Sequence, residues 1–352
     1  MDGHMLLFDQ HLHCDNSTDS RTAPEEAVRA AIDAGLAGMI FTDHFDTHPT
    51  EWSRCLYDYD RLHGEILSLR EEYGDRIFIG HGIEVCYQRS RMDFILDYLA
   101  AHEFDMVLLS VHWFRGRALH VREHWDGFDT HSGTEAYLET VLDAAKLAGE
   151  VARGGPRVFD VLGHIDLVKR YTQRYFGAFD VEPFREIVDE ILRAAIESDI
   201  IPEVNTSGLR QGLGETFPAE QVIRRYAELG GRCMSIGSDA HRAEDIGAGL
   251  PQAVDVGVET VDQPDAASRP AHQRRQDVET QRPHPEIVGG KIVNPRVHEQ
   301  NVLFPHPVAP FALRPAIRGR PPGGRGQAAA ARPEYSSAAS GGQGSNVFPE
   351  KA

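Results

Sequence analysis

Residues 1–260 repeat one pattern: a short apolar run, a polar cluster, and then a segment with the periodicity of an amphipathic helix. Strands that alternate with helices in this way pair in parallel and form either a barrel or a doubly wound sheet. Seven apolar runs are present, so the pattern predicts an α/β fold with seven strands. The predicted strands are Met5–Phe8, Gly38–Phe41, Ile77–Ile79, Met106–Leu109, Val158–Leu162, Ile200–Val204 and Cys233–Ile236.

Amphipathic segments fill the intervals between these runs. The residues Thr22-Ala-Pro-Glu25 match a capping box, which predicts a helix that continues to about Leu36, with Gly35 as its stop signal. Further helices are predicted over Tyr137–Ala152, Val181–Ser198 and Ala219–Leu229.

Histidine and acidic side chains follow the predicted strands at their carboxyl ends, where a (β/α) barrel keeps its catalytic groups. Residues two apart in an extended strand point to the same side, so His11 with His13, and Asp239 with His241, can each face one centre. The clusters are His11-Leu-His13 with Asp19, Thr42-Asp43-His44, His81-Gly-Ile-Glu84, Ser110-Val-His112, Gly163-His164-Ile-Asp166, Glu203 to Arg210, and Gly237-Ser-Asp239-Ala-His241.

This combination of side chains predicts a metal centre with more than one ion. A single histidine is more often a surface or hydrogen-bonded core residue, and an HxH motif alone is weak evidence for a metal. Burying so many unpaired ionisable groups at neighbouring strand ends would cost several kcal/mol each, so bound ions explain their joint occurrence better. Imidazole together with carboxylate suits Zn, Mn or Fe, and the sequence leaves the choice among them open.

On these motifs, residues 5–256 resemble the PHP (polymerase and histidinol phosphatase) family of metal-dependent phosphoesterases. The resemblance implies a distorted (β/α)7 barrel over residues 1–258 and a cluster of two to three divalent metal ions. It assigns the first metal to His11, His13, Glu84 and Asp239, and the second to Glu84 as a bridge with His112 and His164. It assigns the third metal to Asp19, His44 and His241.

Two further segments resemble the histidinol-phosphatase branch of that family: Gly163-His-Ile-Asp-Leu-Val-Lys-Arg-Tyr171 and Glu203-Val-Asn-Thr-Ser-Gly-Leu-Arg210. This resemblance implies hydrolysis of L-histidinol phosphate to L-histidinol and phosphate, a step of histidine biosynthesis. Arg170 and Arg210 stand just beyond strand ends, and a guanidinium matches the oxygens of a phosphate in a bidentate fashion. We therefore predict that Arg170, Arg210 and Ser207 bind the substrate.

The hypothesis for the reaction is an in-line attack on phosphorus by a hydroxide that bridges the first two metals. The third metal and the two arginines would hold the non-bridging oxygens. The leaving alkoxide needs a proton, for which Asp239 or His241 is a candidate and His81 a weaker one. Asp166 or Glu203 is a candidate partner for the amino group of the substrate.

Charge and composition limit the class of partner. The chain has 54 acidic and 36 basic residues, and its net charge of -18 disfavours a protein that coats nucleic acid, so a small phosphate monoester is the expected partner. No apolar run approaches the length of about 18 residues that a membrane span needs, and residues 1–8 lack the basic start of a signal peptide. Four cysteines without CxxC spacing fit the reducing cytoplasm. The oligomeric state stays open.

Composition changes near residue 260. Residues 1–260 carry 46 acidic and 24 basic residues, a balance of -22, whereas residues 261–352 carry 8 and 12, a balance of +4. Thirteen of the twenty prolines lie in that last part, where they remove backbone donors and block helices. We therefore predict that residues 259–352 form a low-complexity, Pro/Arg/Gly/Ala-rich tail that is disordered or translated out of frame. The closing helix and strand of the family are not recognisable after Asp255.

Three other functions stay open on the sequence alone. A PHP phosphoesterase that acts on nucleotides or nucleic-acid ends would favour a basic groove with stacking aromatics, which the acidic barrel does not display. A catalytically silent metal-binding or interaction protein would use the basic tail. An amidohydrolase also places HxH at a barrel strand, but its carboxylated lysine has no obvious counterpart, since residues 1–260 contain only Lys146 and Lys169.

Overall fold

The computed structural model describes residues 6–50 and 57–255, so the tail predicted over residues 259–352 lies outside the described residues. Ten strands occur in the described part. They are β1 (Phe8–Leu12), β2 (Gly38–Phe41), β3 (His44–Phe45), β4 (Phe78–Cys86), β5 (Met106–Ser110), β6 (Trp113–Phe114), β7 (Arg117–Ala118), β8 (Val161–Leu162), β9 (Ile201–Asn205) and β10 (Ser235–Gly237).

Seven of these strands form one parallel sheet in the order β1-β2-β4-β5-β8-β9-β10, which β3 extends beside β4. The two ends of this order meet. The N–H of His13 donates to the carbonyl of Ala240 at 2.8 Å, and the N–H of Asp239 donates to the carbonyl of His11 at 2.7 Å. The sheet is therefore a nearly closed parallel barrel, and the predicted (β/α)7 architecture is confirmed. Strands β6 and β7 form a separate antiparallel hairpin after β5.

Helices connect the strands, and their apolar faces join strand residues in one large core. Among the helices of the described residues, none has the length and apolar character needed to cross a membrane. The helices are α1 (Pro24–Asp33), α2 (Tyr59–Tyr73), α3 (Met92–Ala101), α4 (Thr130–Gly154), α5 (Val168–Phe176), α6 (Arg185–Ser198), α7 (Ser207–Arg210) and α8 (Glu220–Glu228), with short 3-10 turns at Arg89–Arg91, Arg122–Trp125, Glu182–Phe184 and Ala243–Asp245.

The first helix begins later than its sequence signal predicts. It starts at Pro24 with Ala23 as N-cap and without a side-chain cap, so the capping box predicted at Thr22 is wrong. Proline fits the first helical position because its fixed φ suits a helix and the missing N–H would have had no partner there. The hydroxyl of Thr22 lies instead 3.4 Å from the backbone oxygen of His241. The helix ends at Asp33, close to the predicted stop signal Gly35, which has a φ of +72°.

The third strand differs most from its predicted bounds, Ile77–Ile79. Strand β4 has nine residues and does not end at Ile79. Gly80 lets the neighbouring strand come close, because a Cβ there would lie 2.8 Å from Cγ1 of Ile40. Glu84 consequently lies inside a strand, and His81, three residues earlier, faces the opposite side of the sheet.

The other predicted strands and helices are present with shifted ends. Strand β2 has the predicted bounds, whereas β1 spans Phe8–Leu12 rather than Met5–Phe8. Polar residues such as Asp9 and His11 belong to β1, and their polarity hid the strand from a search for apolar runs. The hairpin and the helices α2, α3 and α5 were not predicted.

Candidate metal centre

The HxH motif of β1 meets the DxH motif after β10 where the barrel closes. Nε2 of His11 lies 3.1 Å from Nε2 of His13 and 3.8 Å from Oδ1 of Asp239, and Nε2 of His13 lies 3.4 Å from the same Oδ1. All three side chains are buried. Their ligand atoms all lie within 4.8 Å of one another, as binding to one metal ion requires.

Glu84 lies at the centre of the site and is fully buried. Its oxygens lie 2.7 Å from Nδ1 of His44, 2.9 Å from Nε2 of His164, and 3.4 Å from Nε2 of His112. Nε2 of His11 is 3.5 Å away. One carboxylate thus contacts histidines from four different parts of the barrel, which is the geometry of a bridging ligand. His44, Glu84 and His112 form a second group able to hold an ion.

A third group consists of His13, His44 and His241. The ring of His13 stacks on that of His241 with centroids 4.1 Å apart, and its centroid is 4.3 Å from that of His44. Asp19 links the two outer histidines, since its oxygens lie 3.5 Å from Nε2 of His44 and 3.5 Å from Nε2 of His241. The predicted ligands of the third metal therefore lie together.

The residues fit divalent ions in number and in chemistry. Buried imidazoles and carboxylates with facing ligand atoms are the donor set that Zn, Mn and Fe take in proteins. His164 and Asp19 lie outside the three groups but contact members of them, and Nε2 of His164 is 3.4 Å from Nε2 of His112. The structure thus brings together all the predicted ligands, namely His11, His13, Asp19, His44, Glu84, His112, His164, Asp239 and His241. The division of these residues among individual ions stays a prediction.

Electrostatics favour the metal-binding protonation state for Glu84 and His13. Burial would raise the pKa of Glu84, but the imidazoles of His112, His11 and His44 lower it well below its usual range. Burial and the neighbouring imidazoles lower the pKa of His13 well below its usual value. An ionised carboxylate and a neutral imidazole are the forms that coordinate an ion, so these two groups need no proton loss before binding at neutral pH. For His11 and His44, burial would lower the pKa, but the neighbouring carboxylates raise it well above its usual value, so these two rings must lose a proton when an ion binds.

Arg170 lies at the edge of the metal centre. Its Nη2 donates to Oγ of Ser207 at 2.9 Å and lies 3.5 Å from Oδ2 of Asp239. The guanidinium is stacked over the ring of Phe217, 5.0 Å from its centroid. The side chain is 21% exposed, so a ligand can reach it from solvent. Arg170 and Ser207 thus lie beside a predicted metal ligand, and their contact with a phosphate stays a prediction.

Arg210 has a different environment from Arg170. Its Nη1 and Nη2 donate to the carbonyls of Ser238 and Asp239 at 2.6 and 2.7 Å, and its Nε lies 3.5 Å from Oδ2 of Asp245. Asp239 has a φ of +53°, a left-handed conformation that costs a non-glycine residue about 1–3 kcal/mol. The guanidinium therefore holds the strained turn that carries a predicted ligand, and its predicted contact with substrate stays a prediction.

His81 lies apart from the metal centre. Its Nε2 is 2.8 Å from Oη of Tyr57, and its Nδ1 is 3.1 Å from Nδ1 of His63. Burial, together with the charges of His63 and Arg70, lowers the pKa of His81 to about 3. A neutral imidazole is a very weak acid, and this one lies on the other face of β4 from Glu84, so the prediction of His81 as a general acid is wrong.

The acidic candidates for the amino group of the substrate are engaged elsewhere. Oδ2 of Asp166 lies 3.1 Å from Nζ of the buried Lys169 and accepts the N–H of Ala219 at 3.0 Å. Glu203 is fully buried, and its Oε1 lies 2.6 Å from Nδ1 of His11. Both carboxylates thus already have partners within the protein, and their assignment to the amino group of the substrate stays a prediction. Sequence reasoning missed the support that Glu203 gives to His11, because that contact joins residues 192 positions apart.

The PHP domain family model matches residues 9–207, more than half of the chain. The chain belongs to the PHP family. The matched segment contains seven of the nine predicted ligands, and the other two, Asp239 and His241, lie in the segment that follows β10.

Two PHP relatives align over most of the barrel. A probable histidinol-phosphatase of Deinococcus radiodurans is 30% identical over 267 residues, which cover 72% of this chain and 95% of the relative. A probable histidinol-phosphatase of Clostridium acetobutylicum is 29% identical over 254 residues, covering 71% of this chain and 92% of the relative. The shared region is therefore nearly the whole of each relative.

The fold of the barrel is that of a solved PHP enzyme. The crystal structure of histidinol phosphate phosphatase from Lactococcus lactis, in complex with zinc, L-histidinol and phosphate, superposes with a TM-score of 0.62 at 24% identity. The match covers 73% of this chain and 94% of that chain. The likeness confirms the predicted PHP-type barrel.

Proposed function

We propose that this chain is a metal-dependent phosphomonoesterase that hydrolyses L-histidinol phosphate to L-histidinol and phosphate in histidine biosynthesis. The observation that carries the proposal is the convergence of nine His, Asp and Glu side chains, with Glu84 at their centre, beside the partly exposed Arg170. Alignment with histidinol-phosphatases over 92% and 95% of their length supports the choice of substrate.

Two to three divalent ions, Zn, Mn or Fe, would be held by the three ligand groups described above. When bound, such ions lower the pKa of a water towards neutrality and neutralise charge on the phosphoryl oxygens. Glu84 keeps these groups together through its contacts with several histidines. The negative charges of Glu84 and Asp239 would be compensated by the ions, which explains how a strongly acidic barrel accepts an anionic substrate.

The chain's own residues orient the ester. The guanidinium of Arg170 would receive phosphate oxygens, and its hydrogen bond to Ser207 fixes its direction. Asp239 and His241 are the proposed source of the proton for the leaving alkoxide; Nδ1 of His241 lies 3.6 Å from Oδ1 of Asp239, and its side chain is 28% exposed. Arg210 supports this pair through the carbonyls of residues 238 and 239.

We also propose a cytoplasmic location. Cys14, Cys86 and Cys233 are free, and the first two are buried. Free thiols fit a reducing compartment, where disulfides do not persist. Cell fractionation of the native host, with the chain detected by antibody, tests the location, and recovery in a secreted fraction would contradict it.

The test of the activity is phosphate release from L-histidinol phosphate by the purified full chain, with elemental analysis of its metal. We expect turnover that a chelator abolishes and that added Zn, Mn or Fe restores. The matched control is Glu84→Ala, which should lose metal and activity together. Faster turnover of a 3′,5′-bisphosphonucleotide or a short oligonucleotide would contradict the proposal and favour a nucleotide phosphoesterase.

A further inference from the structure

We propose that Glu203 is a positioning residue of the metal centre, which orients the ring of His11 so that Nε2 faces the ions; this inference rests on the proposed function. Glu203 lies on β9, is fully buried, and belongs to none of the three ligand groups found in the described residues. Its Oε1 lies 2.6 Å from Nδ1 of His11, and its Oε2 accepts the backbone N–H of His164 at 2.8 Å. One carboxylate thus supports two predicted ligands from different strands.

The short contact determines which nitrogen of His11 carries a proton. An ionised carboxylate only accepts hydrogen bonds, so Nδ1 must donate; when the ring carries this one proton alone, the lone pair is on Nε2. Nε2 is also the atom that faces the other ligands, 3.1 Å from Nε2 of His13 and 3.5 Å from Oε1 of Glu84. Metal-bound histidines almost always donate their second nitrogen to an outer acceptor of this kind.

The surroundings of Glu203 leave its carboxylate no path to a substrate. The side chain has an exposure of 0%. Two glycines at strand ends pack against it: a Cβ at Gly237 would lie 2.9 Å from Oε1, and a Cβ at Gly163 would lie 3.6 Å from Oε2. Nδ2 of Asn205 lies 3.4 Å from both oxygens. The carboxylate therefore acts on the protein's own ligands and not on a bound ester.

His13 has a different support, which provides an internal comparison. Its Nδ1 lies 3.2 Å from Oγ of Ser17, and that hydroxyl donates to Oδ1 of Asp43 at 2.6 Å. Because the hydroxyl hydrogen is used on Asp43, its oxygen accepts from Nδ1 of His13. The carboxylate of Asp43 thus reaches His13 only through the hydroxyl of Ser17, whereas the carboxylate of Glu203 contacts His11 directly. Removing the charge at Glu203 should act chiefly through His11.

The test is the zinc affinity of the purified full chain, measured by competition with a chelator. Losing an outer partner of a metal ligand typically weakens affinity about 10–100-fold, so we expect that loss for Glu203→Gln. Glu203→Asp keeps the negative charge on a side chain one methylene shorter, and its zinc affinity should lie between those of wild type and Glu203→Gln. The matched control is Asp46→Asn, because Asp46 is also buried but accepts Nε1–H of Trp113 at 2.8 Å and the backbone N–H of His48 at 2.8 Å. Its zinc affinity should stay close to that of wild type.

The following outcomes decide the proposal. It is overturned if Glu203→Gln binds zinc like wild type, or if Glu203→Gln and Asp46→Asn weaken binding equally. If Glu203→Gln does not fold, wild-type affinity in Glu203→Asp overturns it. A higher KM for L-histidinol phosphate with unchanged zinc affinity would assign Glu203 to the substrate instead. The zinc measurement needs no turnover, so the two proposals can fail separately. If wild type is inactive on L-histidinol phosphate but Glu203→Gln still binds zinc more weakly than wild type, the proposed function is refuted and this inference is upheld.

Discussion

Replacing Glu84 by glutamine should remove metal from the barrel more completely than any other single change of equal size. The carboxylate oxygens lie 2.7 Å from Nδ1 of His44 and 2.9 Å from Nε2 of His164. Loss of an outer partner of a ligand costs about 10–100-fold in affinity, and a ligand shared between two ions must cost more, so we expect zinc affinity to fall by more than about 100-fold. Activity should fall with it.

The same substitution should also weaken the metal-free protein. Hydrogen bonds to a charged group contribute about 1.5–3 kcal/mol each, and the lower value applies because the histidines can lose their protons. The two short contacts of Glu84 thus predict a loss of about 3 kcal/mol in the free energy of unfolding. In a domain of this size that loss lowers the thermal midpoint by roughly 6–12 °C.

Elemental analysis after desalting and thermal unfolding by circular dichroism, with and without chelator, measure both effects of Glu84→Gln. Asp46→Asn is the control, because it also removes a buried carboxylate, one that accepts from Trp113 and His48, and it should leave the metal in place. A Glu84→Gln protein that keeps its full metal content with wild-type affinity would refute the bridging role.

Three further predictions concern the edges of the site. Arg170→Ala should raise KM for L-histidinol phosphate about 10–100-fold with unchanged metal content. Arg210→Ala should lose metal as well, because Arg210 holds the carbonyls of residues 238 and 239. Equal metal content in the two variants would contradict that role of Arg210. Gly237→Ala should destabilise the barrel by about 1–3 kcal/mol or more in chemical denaturation. Its Cβ would lie 2.2 Å from Cβ of His11, which cannot move away without moving the backbone. Gly163→Ala is the comparison and should destabilise the barrel less, because its Cβ would lie 2.2 Å from Oγ of Ser110, which can rotate away. A larger loss of stability in Gly163→Ala than in Gly237→Ala would contradict this reasoning. Removing zinc with a chelator should lower the thermal midpoint of wild type by roughly 5–11 °C, the shift expected when zinc is present at about 100 times its Kd. An unchanged midpoint would show that bound ions do not stabilise the fold.

The barrel and its ligand positions were predictable because both depend on short-range patterns. Residues two apart in a strand share a face, so the motifs around His11 and Asp239 indicated convergence before any coordinates were known. Parallel strands place their carboxyl ends at one end of a barrel, which brought distant motifs such as those of His44 and His164 to the same site.

The roles of Arg210, Glu203 and His81 depend on long-range contacts that no local pattern contains. Arg210 follows a strand end, as a phosphate-binding residue would, but the carbonyls of the next strand take up its guanidinium. Glu203 has the residue type expected of an amine partner, and only the closed barrel, in which β10 lies between β9 and β1, shows that it contacts His11. His81 was placed in the site because the length of β4 was underestimated.

The meeting of β1 and β10 has a consequence for how the protein acquires its ions during synthesis. His11 and His13 leave the ribosome early, but the first and third ligand groups also need Asp239 and His241, more than two hundred residues later. A nascent chain therefore cannot complete these two groups until β10 and the residues after it have been made. Ions bound there would join β1 to the segment after β10, so metal binding would follow the synthesis of the whole barrel and hold its two ends together.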